Sequence, residues 1–180
     1  PPPSLALPVR MLGDPARAGP ADGDVLDAQI AGLADETDPT RIERIATVAL
    51  FSDRATHCRP ALWRVVRSGR DGSAVASALT AMTVLCIDDV AAGRWAEADR
   101  LAAEGLRLCD VHGYDLLAAP FRLGQALLAA MRGDAAAVRR LTVAVSSWAA
   151  PRGARALQLS CHHARALLAS GTGDFETAYH

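Results

Sequence analysis

The most chemically suggestive run in the chain is Cys161-His162-His163, three side chains that could ligate a soft metal. Zinc needs three or four ligands converging on one point. Successive helical residues project about 100° apart, so this tripeptide cannot close a site alone. Cys109, His112 or His57 would have to reach it from elsewhere in the fold, and ordinary packing is the reading adopted. Asp88-Asp89 could serve as paired carboxylates for acid–base work. The sequence fixes no basic or nucleophilic partner beside them, and a solvated surface pair near a helix C-terminus is expected. Ser73, Ser146 and Ser147 lack the G-x-S-x-G setting of an activated serine. No catalytic residue, cofactor-binding residue or metal ligand is therefore assigned, and the chain is expected to bind rather than to transform.

Arg122 and His162 are of more interest for binding. They lie forty residues apart, with Met82 forty residues before Arg122. In a repeating fold such positions form a column on one surface, and on a concave surface Arg122 and His162 would line the groove. The plainer alternative is a solvated helix face, or a contact with a carboxylate such as Asp115. Arg139-Arg140 forms a small candidate patch on the outer face. Trp63, Trp95 and Trp148 could build an aromatic cage, but their helical setting favours core packing.

The elements that would position these residues are marked by glycine. Gly93-Arg94-Trp95-Ala96-Glu97-Ala98, Gly133-Asp134-Ala135-Ala136-Ala137-Val138 and Gly173-Asp174-Phe175-Glu176-Thr177-Ala178 recur at intervals of forty. Gly113 and Gly153 fall midway between them. Each interval of twenty thus holds one helix and one turn. Glycine past a helix end can take the left-handed conformation that completes a C-terminal cap, and Asp134 or Asp174 can cap the helix that follows. The large residue two after glycine (Trp95, Phe175) is expected to wedge between helices, and the small residue at Ala98 or Ala178 to let helices approach. Leu116, Leu117, Leu123, Leu127, Leu128 and Met131 stripe one helix, Leu157, Leu159, Leu167 and Leu168 another. Pro120, inside its helix, predicts a kink or a late start.

Further upstream the pattern is less regular. Residues 1–23 are rich in Pro and Gly and read as a linker or irregular lead-in, and residues 24–180 as the helical array. Asp24 is expected to cap a helix carrying Val25, Leu26, Ile30 and Leu33. Asp38-Pro39-Thr40 starts another, with Ile42, Ile45, Ala46, Ala49 and Leu50 on one face. Leu62, Val65 and Val66 belong to a third, ending near Ser68-Gly69 before the Asp71-Gly72-Ser73 break. The fold class is all-α: antiparallel helix pairs with a repeat of about forty residues, stacked as a right-handed, tetratricopeptide-like superhelix.

Composition supports this. Of the 180 residues 51% are hydrophobic but only 4% aromatic, and alanine and leucine, both strong helix formers, dominate. The net charge is −1, which argues against direct nucleic-acid contact. Every basic residue is Arg; Arg codons are GC-richer than Lys codons, which points to a GC-rich bacterial genome. Cys58, Cys86, Cys109 and Cys161 show no C-x-x-C pairing and read as buried small hydrophobes in a reducing cytoplasm. No secretory signal and no membrane span is legible. The start at Pro1 and the end at His180 within a helical pattern suggest a piece of a longer polypeptide.

The run from Gly93 to Leu106, the Arg59-Pro60-Ala61-Leu62-Trp63-Arg64-Val65-Val66 stretch, and Ala164–Ala169 followed by Gly173-Asp174-Phe175 together resemble the helical-repeat region of large ATP-binding regulators of the LuxR family. The resemblance covers roughly residues 40–180. It implies an upstream ATPase module, a tetratricopeptide-like middle that senses an inducer or partner, and a downstream helix-turn-helix through which DNA is contacted. This chain would be part of that middle. It has no G-x-x-x-x-G-K-[ST] loop and no lysine to supply one, so ATP would belong to the upstream module. The expected partner is a protein or small-molecule inducer; a tetratricopeptide-like adaptor unrelated to transcription is the alternative. An open last repeat ending at His180 would also allow a homodimer.

Overall fold

The computed structural model describes residues 7, 11–13, 19–70 and 74–179, and every described element is helical. The chain divides into two compact units, Pro1–Asp88 and Asp89–His180. No described helix is long and apolar enough to cross a membrane.

In the first unit, α1 spans Pro20–Ala31. It starts earlier than expected. Gly19 is the N-cap, Pro20 occupies the first turn, and the Asp22 carboxylate accepts the Gly19 N–H at 3.1 Å. Asp24 is thus inside the helix rather than its cap, and the lead-in ends before residue 20; most of 1–18 lies outside the described residues. Helix α2, Pro39–Leu50, starts as read: the Asp38 carboxylate accepts the Thr40 N–H at 3.0 Å and Pro39 follows it. Ile42, Ile45, Ala46 and Ala49 are buried on one face. Helix α3, Arg59–Arg70, buries Leu62, Val65 and Val66. Its Arg64 donates to the Leu33 and Glu36 carbonyls, satisfying acceptors left at the end of the α1 segment. The Asp71-Gly72-Ser73 break lies outside the described residues.

Helix α4, Val75–Ala91, carries the division between the units. Leu79, Met82, Leu85 and Cys86 on it are fully buried, in keeping with a helix apolar on most sides.

The second unit is regular. Helices α5 (Trp95–His112), α6 (Asp115–Met131), α7 (Ala135–Ala149), α8 (Arg155–Gly171) and α9 (Phe175–Tyr179) follow one another through short turns. Gly93, Gly113, Gly133, Gly153 and Gly173 all have positive φ, between 63° and 80°. Each is followed by a residue whose N–H returns to a carbonyl five positions back: Arg94 to Asp89, Tyr114 to Cys109, Asp134 to Ala129, Ala154 to Ala149 and Asp174 to Ala169, at 2.8–3.1 Å. This is the bond that closes a Schellman cap. One cap therefore recurs every twenty residues. Asp134 and Asp174 then cap α7 and α9 by accepting the N–H groups of Ala137 and Thr177, and the Thr177 bonds hold the Asp174 carboxyl below its usual pKa.

Packing in this unit follows the cap spacing. Helix α6 touches α5, α7 and α8, while α8 touches α6, α7 and α9. Phe121 of α6 is fully buried, its ring lying against Gly105 of α5, where any Cβ would overlap the ring. Ala119 and Leu123 of α6 join Val145 of α7 and Cys161 of α8 in one core cluster. Pro120 neither delays nor interrupts α6, which runs from Asp115 through Met131. At the sixth position, one backbone bond is lost near an end where several donors lack partners anyway.

Two expectations about large side chains are corrected. The tryptophans are half-buried rather than core. Arg152 stacks 4.5 Å above the Trp148 ring and Arg70 lies 6.0 Å from that of Trp63. Trp95 buries its indole Nε1, which has no hydrogen-bond partner among the described residues. Phe175, expected to wedge, is 72% exposed; no further described helix lies beyond α9 to receive it.

Candidate ligand-binding surface

The carboxylate pair expected at the surface is buried. Asp89 is 0% exposed and Asp88 is 7% exposed. Asp88 belongs to the first unit, where it accepts from Thr56 Oγ1 at 2.7 Å and Arg59 at 2.8 Å. Asp89 belongs to the second, where Arg94 Nε lies 2.5 Å from its Oδ1. Burial of a carboxylate requires such partners. They lie 32 and 29 residues away for Asp88, so local sequence could not show them. The Arg94 partner, five residues beyond Asp89 across the turn, was within reach of a sequence reading but carried no recognised motif. Both groups are held by bonds that build the fold.

Cys58 lies fully buried near Asp88. Burial, reinforced by the negative Asp88, pushes its thiol up to about 12. All four cysteines are buried and free, as read from the sequence.

The Cys161-His162-His163 run does not converge. Cys161 faces the core cluster with Ala119, Leu123 and Val145, whereas His162 and His163 are exposed. Among the described residues no three His, Cys, Asp or Glu side chains are grouped to hold a metal ion. His57 and His112 are exposed and Cys109 is buried. Ser73 lies outside the described residues.

The column of forty-residue equivalents runs from buried Met82 through half-buried Arg122 to exposed His162. His162 opens onto a cleft of about 550 Å³ between α8 and α9, lined also by Leu159, His163, Arg165, Glu176 and Tyr179. Arg122 is not among its lining residues. Its guanidinium stands near Cys109 on α5, where it offsets part of the rise in the thiol pKa caused chiefly by burial.

Arg122 differs from the other half-buried arginines. Arg54 pairs with Asp27, Arg59 with Asp88 and Arg94 with Asp89, while Arg64 donates to two carbonyls. Arg122 has neither an ion pair nor a side-chain hydrogen bond among the described residues. Sequence periodicity pointed to the position; that no described residue pairs with it became visible only in the fold. Arg139, in the exposed pair with Arg140, lines a second, mostly apolar cleft with Val138, Arg165, Leu168 and Asp174.

No protein-family model, curated protein or solved structure matches this chain.

Proposed function

We propose that this chain is a non-catalytic binding module, a tetratricopeptide-like array whose helix pairs stack in a right-handed superhelix. Its first-of-pair helices α6 and α8 present Arg122 and His162 to a ligand or partner carrying an acidic group. The observation that carries this reading is the half-buried Arg122 guanidinium, which has no ion pair or side-chain hydrogen bond among the described residues. A partly desolvated guanidinium gains most from a carboxylate or phosphate that it can grip with two parallel N–H bonds. The recurring glycine caps support the array, since identical caps at even spacing favour identical helix pairs.

The parent of this module, on the resemblance of its repeats, is a LuxR-type transcriptional regulator in the bacterial cytoplasm. The ligand would favour one curvature of the array over another and so bias the neighbouring modules through its differential affinity. ATP would be bound by an upstream module and DNA by a downstream helix-turn-helix.

Two measurements test this. Reading the parent gene on both sides should reveal a P-loop upstream and a helix-turn-helix downstream; finding neither removes the regulator assignment. A thermal-shift screen of dicarboxylates, phosphorylated metabolites and acidic peptides should yield a stabilising ligand. At a hundredfold excess over its Kd the gain is about 2.7 kcal/mol. Arg122→Ala should abolish that gain without lowering the unliganded melting temperature. A ligand bound equally well by Arg122→Ala would defeat the role given to Arg122.

A further inference from the structure

The forty-residue equivalence sets one cleft of the second unit apart. At the α5–α6 corner, Arg132 donates to the Asp99 carboxylate at 2.7 Å, and Trp95, one turn before Asp99, buries its indole Nε1. Forty residues on, Ala135 stands for Trp95, Arg139 for Asp99 and Thr172 for Arg132. The indole and the ion pair are both gone, and Val138 in place of Ala98 restores little of the bulk. At this second corner α7, α8 and the start of α9 line a cleft of about 330 Å³. Helices that follow leave such a corner open: Asp99 and Arg132, with α8 and α9 beyond them, keep side chains 44% exposed.

The floor of the cleft is apolar, from Val138, Leu168 and Ala169, and its rim carries Arg139 and Arg165. Arg165 is oriented before any ligand arrives. Its Nε donates to Thr142 Oγ1 at 3.0 Å, and Thr142, 0% exposed, donates in turn to the Arg139 carbonyl. The Nη groups of Arg165 and the whole Arg139 guanidinium have no hydrogen bond or ion pair among the described residues. Asp174 also lines the cleft, but its carboxylate accepts the Thr177 N–H in capping α9. Two bases against one acid leave the rim positive.

We propose that this cleft binds a small aromatic carboxylate. Its ring lies over the apolar floor, in the place that the preceding corner gives to the Trp95 indole, and its carboxylate is gripped by Arg139 and Arg165. A planar guanidinium matches a carboxylate through parallel N–H bonds and also stacks on an aromatic face. The volume is at the small end of ligand pockets, which suits a molecule of one or two rings rather than a peptide. Arg122 is not among the lining residues, so this site is separate from the one proposed above.

Isothermal titration of the 180-residue chain with indole-3-acetate, 2-naphthoate and 3-phenylpropanoate tests this. At least one should bind saturably with a Kd below about 1 mM. The corresponding neutral amide should bind about tenfold or more weakly than its acid. Arg139→Ala and Arg165→Ala, both at exposed positions, should each weaken binding about tenfold with little change in melting temperature. Ala135→Trp is the decisive variant. It returns the indole of the preceding corner and should abolish binding with the helical circular dichroism retained. Ala135→Leu, a smaller intrusion, should weaken binding in the same direction even where the larger ring disturbs the fold. Arg122→Ala should bind as the unaltered chain does. No binding of any of the three acids below about 1 mM, an amide bound as well as its acid, or binding that survives both substitutions of Ala135 overturns the proposal. Binding lost in Arg122→Ala but kept in Arg165→Ala also overturns it, and places the ligand at Arg122 instead.

Discussion

Gly105 has no side chain, and the aromatic ring of Phe121 fills the space that one would occupy. Replacing it with alanine should help the isolated helix by about 1 kcal/mol, yet the overlap with a fully buried ring should cost about 1–3 kcal/mol. We expect a net loss in urea unfolding, relieved by the companion change Phe121→Leu. At Gly93, Gly113 and Gly133 the demand is conformational: no atom crowds the missing Cβ, but φ is positive. Alanine there should cost about 1–2 kcal/mol each, measurable as a lower denaturation midpoint with an unchanged slope. Trp95→Ala should cost about 3–5 kcal/mol if its ring behaves as core. Its half-burial sets the lower end as the expectation, and an unchanged melting temperature would exclude Trp95 from the packing altogether. Cys58 gives a pH signature. Burial, with the negative Asp88 nearby, pushes its thiol up to about 12 in the fold, above the ordinary thiol value of about 9. Between those values the unfolded chain has lost the proton that the folded chain keeps, so stability falls as pH rises through this window. Cys58→Ala should flatten that part of a stability–pH curve.

Among the helices, the ends explain most of what the sequence could and could not reveal. The caps at Asp38, Asp134 and Asp174 and the glycine turns were legible because a cap is a local demand, met by the residues next to it. Helix α1 starts earlier than Asp24 because Gly19, with Pro20 and Asp22, forms an equally good cap five residues before it. The burial of Asp88 was illegible for the opposite reason: its partners Thr56 and Arg59 come from a different part of the chain. Asp89 sits in the last turn of α4, where the helix dipole disfavours an acid, and the Arg94 guanidinium offsets that cost. Arg94→Ala should leave a carboxylate buried without its guanidinium and destabilise by about 3 kcal/mol, the scale seen when one member of a buried pair is removed. A double-mutant cycle with Asp89→Leu should recover much of this loss, since it removes the stranded charge.

Taken as an all-α chain, the protein holds its regular helices by contacts to near neighbours in sequence. Helix α6 packs against α5, α7 and α8. Amide hydrogen exchange should therefore be slowest in α6, which has neighbours on three sides, and fastest in the five-residue, exposed α9. Uniform protection across α5 to α9 would contradict that picture. Of the two expected groove residues, only His162 lines the cleft between α8 and α9. Periodicity put Arg122 and His162 in one column, but the cleft at His162 depends on α9 folding back beside α8. Whether any position in that column is open or covered is set by neighbouring elements, which spacing along the chain does not encode.

The twenty-residue rhythm of left-handed glycines also bears on how such a chain can change length. A single residue inserted within α6 would rotate everything after it by about 100° and lift Leu123 and Phe121 off their partners. A block copied from one glycine turn to the turn forty residues on would arrive with both of its caps intact and every side chain still on its proper face. Gene rearrangements that survive should accordingly add or remove whole pairs, and an engineer wishing to lengthen or shorten the protein would cut at Gly93, Gly133 or Gly173.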